Sequence, residues 1–278
     1  MPFRHAHWWV LATFPLAALA FWPGYLSSFA ASPWAYHLHG MTASAWLLLL
    51  AIQSWSIRHD KRQFHRTNGL VSFALFPLFL AGGAAIFVGM AERFVDASSP
   101  FYRLYPPKLA WLDFVAVLGT AFFYYQALRY RRFVGKHSSY LLATVIFLLP
   151  PMLGRLAPIP FGMNPAVPGF WEWLNRGFHI GNIATALIAF VIAWRAGRNG
   201  RPFVLAGLLT LLSSLLYEFP GGTAAWWSIY PLFAGVPVAL LALAAALFGG
   251  AVGWAGWQAG KRGVPTAGPA SGGVAVVD

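Results

Sequence analysis

Residues 36–90 read YHLHGMTASAWLLLLAIQSWSIRHDKRQFHRTNGLVSFALFPLFLAGGAAIFVGM, and this stretch decides the fold. Two apolar runs, 36–57 and 66–90, each reach the roughly 20 residues that a helix needs to cross about 30 Å of hydrocarbon. A short charged bridge, Arg58-His59-Asp60-Lys61-Arg62, separates them. Working outward with the same window predicts further spans near 8–30, 108–130, 138–157, 170–194, 202–218 and 226–250. The expectation is an all-α, polytopic transmembrane helix bundle of about eight spans.

Composition supports that class. Of the 278 residues 59% are hydrophobic and 9% are charged, with a mean hydropathy of +0.61. Ordinary soluble domains carry about 25% charged residues. The spans and short loops consume residues 1–260 as a single domain and leave no stretch for a separate soluble core. Residues 261–278, rich in Gly, Ala and Pro, read as a disordered tail. The first segment follows basic residues as a signal peptide would. Its apolar run nevertheless passes Phe21 and Trp22, longer than a signal's 7–15 residue core, so a retained helix is expected.

The net charge of +12 is distributed as an orientation signal rather than as a nucleic-acid surface. Arg4, the Arg58 to Arg66 group, the Arg129 to Lys136 group, Arg195, Arg198, Arg201, Lys261 and Arg262 fall on one side. They make fourteen of the nineteen basic residues. That side is expected to be cytoplasmic, with both termini on it, in a bacterial inner membrane.

The chain has no cysteine, so disulfides, thiolate metal sites and iron–sulfur clusters are excluded. No G-x-x-x-x-G-K-[ST], H-E-x-x-H or G-x-S-x-G string occurs, nor the H-x-x-H-H boxes of membrane di-iron enzymes. What remains is histidine. His37, His39 and His179 fall at the outer level of the spans, and His59, His65 and His137 at the inner one. Ionisable groups within a bilayer are costly, which makes such gatherings functional-site candidates. His37 and His39 point about 200° apart on a helix, so only one faces the bundle, and His39, followed by Gly40, is preferred. His179 stands between Gly177 and Gly181, a G-x-x-x-G spacing that clears a helix face for a close neighbour, helical or planar. His65 and His137 each open an upward helix, a symmetry that suggests a pair. His5, His7 and His59 read as surface residues. Asp113, Arg155, Glu172, Arg176 and Glu218 share the outer third. Arg155, after the helix-interrupting Pro150-Pro151, offers a fork to an anionic ligand or a partner for Asp113.

The strings HxHG at 37–40, Gln53, HRxxG at 65–69 and K-H-x-x-x-L-L-A-T at 136–144 resemble a group of uncharacterised multi-pass bacterial inner-membrane proteins. The HRxxG element is also similar to motifs of cytochrome-b-type di-haem membrane proteins. That resemblance implies haem b ligated by His39 with His179 at the outer level and by His65 with His137 at the inner. Arg155 and Arg66 would then meet the propionates. The implied activity is transmembrane electron transport, as an oxidoreductase exchanging electrons with a quinone or a redox protein. Three other readings stand beside it. One is a membrane metalloenzyme acting on a lipid or quinone, with zinc or non-haem iron held by an outer set of His37, His39, His179, Asp113 and Glu218. The others are a small transporter with Pro-broken spans and a structural subunit. Oligomeric state is not readable.

Overall fold

Pro33 lacks an N–H and is held extended (φ −59°, ψ 148°), so it serves as the start signal for a helix that opens at Trp34. The computed structural model describes residues 3–262, and among them every regular element is helical. They are α1 (Ala6–Phe21), α2 (Trp34–Arg58), α3 (Arg62–Val95), α4 (Pro100–Leu104), α5 (Pro106–Arg129), α6 (Val134–Ala143), α7 (Leu149–Leu156), α8 (Phe170–Ala196), α9 (Arg201–Glu218), α10 (Ala224–Ile229) and α11 (Val238–Arg262). The tail expectation for 261–278 falls, from 263 onward, outside the described residues.

Among the described residues, seven helical segments are long and apolar enough to cross a membrane. They are α2, α3, α5, the Val134–Phe161 segment containing α6 and α7, α8 with its 3-10 extension, α9 and α11. The expected first span, 8–30, is not one helix. α1 stops at Phe21 after 16 residues, about 24 Å, because Pro23-Gly24 cannot continue it, and Leu26–Ala31 forms a 3-10 turn instead. The expected last span, 226–250, is displaced. Pro231 and Pro237 break the chain into α10 and a 3-10 turn over Tyr230–Gly235, and the long helix starts only at Val238. Pro150 and Pro151 leave no backbone N–H to extend α6, so a 3-10 turn over Thr144–Leu148 joins it to α7.

The core forms around Trp46, which is fully buried. Its ring stacks on Phe79 at 5.9 Å and meets Tyr124 edge-on at 5.6 Å, while its indole N–H donates to Thr144 Oγ1 at 3.1 Å. This ties α2, α3, α5 and the turn between α6 and α7 together at mid-depth. α3 can approach α2 closely because Gly82 carries no side chain. A Cβ there would lie 2.4 Å from Thr42 Oγ1 and 3.1 Å from the Cα of His39. On the outside, Leu240, Leu243, Leu247 and Trp194 are exposed, which suits contact with lipid rather than water.

α1 and the turn that follows it run alongside α2. The His7 backbone N–H donates to Ser54 Oγ at one end, and the Tyr25 hydroxyl bonds His37 Nδ1 at the other. At the end of α11, Arg131 donates to the carbonyl of Trp257. The start of α1 and the end of α11 thus reach the same basic end of the bundle.

Candidate functional site

At that basic end, Lys61 precedes α3 and Phe133 precedes α6, so His65 and His137 both stand in first turns. Their rings come together with centres 6.5 Å apart and planes at 89°. His137 Nδ1 lies 2.8 Å from the Ala127 carbonyl oxygen, which only accepts, so Nδ1 carries the proton and Nε2 keeps a free lone pair. An imidazole held through one nitrogen by a carbonyl, with its other nitrogen free, is the arrangement of metal-ligating histidines. His65 Nδ1 is buried with no hydrogen-bond partner. The Gln53 side-chain NH₂ donates to the His65 carbonyl at 3.2 Å, while Gln53 Oε1 is likewise buried and unpartnered. Unsatisfied buried acceptors and donors cost about 1–3 kcal/mol each, and two such atoms, His65 Nδ1 and Gln53 Oε1, lie at this histidine pair. Arg66 is exposed beside them.

At the opposite end the expected outer set is distributed over three neighbourhoods. His37 faces away from the bundle centre, bonded to the Tyr25 hydroxyl at 2.8 Å and packed on Phe29 with ring centres 4.4 Å apart. His39 faces inward, with Nδ1 buried and unpartnered. The Arg155 guanidinium carbon sits 4.8 Å from the Phe21 ring centre and 5.6 Å from that of Phe101, and one of its nitrogens donates to the Pro151 carbonyl at 2.9 Å. His39 and Asp113 both lie within its electrostatic reach. Asp113 forms no ion pair with it among the described residues, where the two ion pairs are those of Glu218. Tyr36 and Tyr102, linked hydroxyl to hydroxyl at 3.0 Å, also bear on Arg155.

His179 belongs to the third neighbourhood. Its Nε2 lies 2.8 Å from Glu218 Oε1, and Lys108 Nζ donates to Glu218 Oε2 at 2.9 Å. Tyr217 closes this group, edge-on to the His179 ring at 5.3 Å and beneath the Lys108 ammonium at 5.0 Å. The cleared face between Gly177 and Gly181 is filled by a helix. A Cβ on Gly177 would meet the Gly154 carbonyl oxygen at 2.6 Å, and one on Gly181 the Gly154 nitrogen at 2.5 Å. No ring contact joins His179 to His39. Among the described residues no three His, Asp or Glu side chains are grouped to hold one metal ion.

Outside the membrane-spanning segments, burial together with the Glu172 carboxylate pushes the Tyr105 phenol up to about 12, and its hydroxyl donates to the Trp171 carbonyl. Lys108, Tyr217, Tyr36 and Tyr102 were not singled out as site residues from the sequence. Their partners lie 38 to 110 positions away, and no local spacing marks them. Gln53 did carry a signal, as a polar side chain inside an apolar run.

No protein-family model matches the chain, and neither a curated protein nor a solved structure shows significant similarity to it. Fold and surface define an integral membrane protein that is all-helical among the described residues, with seven candidate spanning segments there and histidines near both ends of the bundle.

Proposed function

We propose that this is a membrane electron-transfer protein holding one haem b between His65 and His137. The carrying observation is the juxtaposition of those two rings. Two imidazoles on opposite sides of one metal, with about 2 Å per metal–nitrogen bond, have ring centres about 6.4 Å apart. The observed separation is 6.5 Å. The donor set fits the group, since His137 Nε2 is left free by the Ala127 bond and His65 has a buried orphan nitrogen. Haem would supply a one-electron couple whose potential responds to axial ligands, hydrogen bonds and burial. In this reading Ala127 orients the His137 imidazole, Gln53 fixes the His65 backbone, and exposed Arg66 is the cation that would meet the propionates.

A second haem between His39 and His179 draws less support, because His179 is engaged by Glu218 and the two rings share no contact. The outer metalloenzyme reading with zinc or non-haem iron would need side chains that here occupy separate neighbourhoods. The topology that goes with the proposal has eight crossing segments, α1 and its following turn being the first, since they cover the same depth as α2. The basic end faces the cytoplasm of a bacterial inner membrane, in keeping with fourteen of nineteen basic residues gathered there. A quinone or a redox protein is the exchange partner.

The test is a reduced-minus-oxidised visible spectrum with pyridine haemochrome on detergent-purified protein. A b-type spectrum at one haem per chain is expected. It should vanish in His65→Ala and in His137→Ala and persist in His179→Ala. Haem-free protein from haem-replete cells, or full haem content in both inner variants, overturns the proposal.

A further inference from the structure

A cavity of about 570 Å³, with neither His65 nor His137 in its lining, opens at the basic end of the bundle between the end of α5, the turn into α6 and the end of α11. Arg129, Arg132 and Lys136 line it together with Tyr125, Tyr130 and Gly260, and among the described residues no carboxylate is in its lining. Three cations around one concavity repel each other unless an anion joins them. The walls are built rather than incidental. Arg131 donates to the carbonyls of Leu128 and Trp257 and stacks 4.0 Å from the Trp257 ring centre, which staples α11 to α5. The Lys136 ammonium and the Arg129 guanidinium are held 4.8 Å and 5.3 Å from the Tyr130 ring centre, so both remain at the rim.

The surface below the cavity is apolar. Leu118, Phe122, Tyr125 and Arg129 follow one face of α5 at helical spacing, and Leu118 and Phe122 are 62% and 42% exposed. A ligand seated here thus meets positive charge at the headgroup level and bare hydrocarbon toward the bilayer centre. Basic pockets between spanning helices on the positively charged side hold anionic lipid headgroups.

We infer that this cavity binds the phosphate headgroup of an anionic phospholipid, with an acyl chain lying along Leu118 and Phe122. The inference stands independently of the haem proposal. Delipidated full-length protein is titrated with phosphatidylglycerol or phosphatidylcholine in mixed micelles, and bound lipid per chain is read by native mass spectrometry.

Phosphatidylglycerol should bind in preference to phosphatidylcholine and weaken as salt is raised. It should lose about tenfold or more in affinity in the Arg129→Gln/Arg132→Gln variant, at roughly 1 kcal/mol per basic residue near the surface. Lys136→Gln serves where the double variant does not fold, with a smaller loss of about fivefold on the same basis. Equal binding of the two lipids, or unchanged affinity in the variants, overturns the inference. Soluble glycerol phosphate binding as tightly as the lipid overturns the lipid assignment in favour of a free phosphoester.

Discussion

At the residue scale, the chemistry of each histidine follows from what its two nitrogens meet. His137 gives one nitrogen to Ala127 and keeps the other free, whereas His179 spends its Nε2 on Glu218. The two are therefore not equivalent, although both are histidines near membrane boundaries. Glu218→Gln is expected to release both Lys108 and His179, but the carboxylate is 39% exposed, and exposed ion pairs contribute about 0–1 kcal/mol. Its thermal midpoint in detergent should fall by only a few degrees, and a loss of folded protein would show that the triad is structural. Tyr105 supplies a pH dependence. Its folded-state phenol is raised to about 12 from an ordinary value of 10.0, so the neutral form is favoured by folding. The associated stability is fully present below pH 10 and is lost as pH rises towards 12. A thermal midpoint followed over that window should decline less steeply in Tyr105→Phe than in the unaltered protein.

At the element scale, helix identity was legible in α2 and α8, whose apolar runs carry no proline, and in α3, which continues through Pro77. It was misread at the two ends of the chain, where Pro23, Pro231 and Pro237 stop helices within an equally apolar run. Hydropathy sums do not register a missing N–H, so 8–30 and 226–250 scored as spans while Pro23, Pro231 and Pro237 decided where helices stop. The inner pair was suggested by two histidines opening two helices. The neighbourhoods of the outer residues were illegible, because Lys108 meets Glu218 across 110 positions. Close helix crossings also leave only a weak trace among 28 glycines. Their weight can be measured. Gly181→Leu places a side chain where even a Cβ would meet the backbone of Gly154 at 2.5 Å, so α7 and α8 must separate. Overpacking costs typically about 1–3 kcal/mol, and backbone contact puts this case at the upper end. A clear drop in thermal midpoint is expected for Gly181→Leu and none for Gly250→Ala, whose Cβ would meet nothing within 4 Å.

At the scale of the whole molecule, charge distribution and the path of α1 bear on one question, the number of crossings. Among the described residues seven helical segments reach spanning length, and an odd number of crossings would put the start of α1 and the end of α11 on opposite sides. Yet His7 and the end of α11 lie at the same basic end, and Tyr25 meets His37 at the other. α1 can satisfy both contacts with only 16 helical residues because the 22–31 turn carries the chain the remaining distance. Because the chain contains no cysteine, single cysteines report sidedness directly. With a membrane-impermeant maleimide on intact cells, Ser28→Cys and Ser98→Cys should label while Lys61→Cys and Arg132→Cys label only after lysis. Labelling of Lys61→Cys in intact cells would invert the orientation. Failure of Ser28→Cys to label while Ser98→Cys does would remove α1 from the crossings. It would then lie as a surface helix on the cytoplasmic side, which the Tyr25 contact to His37 at the opposite end of α2 opposes.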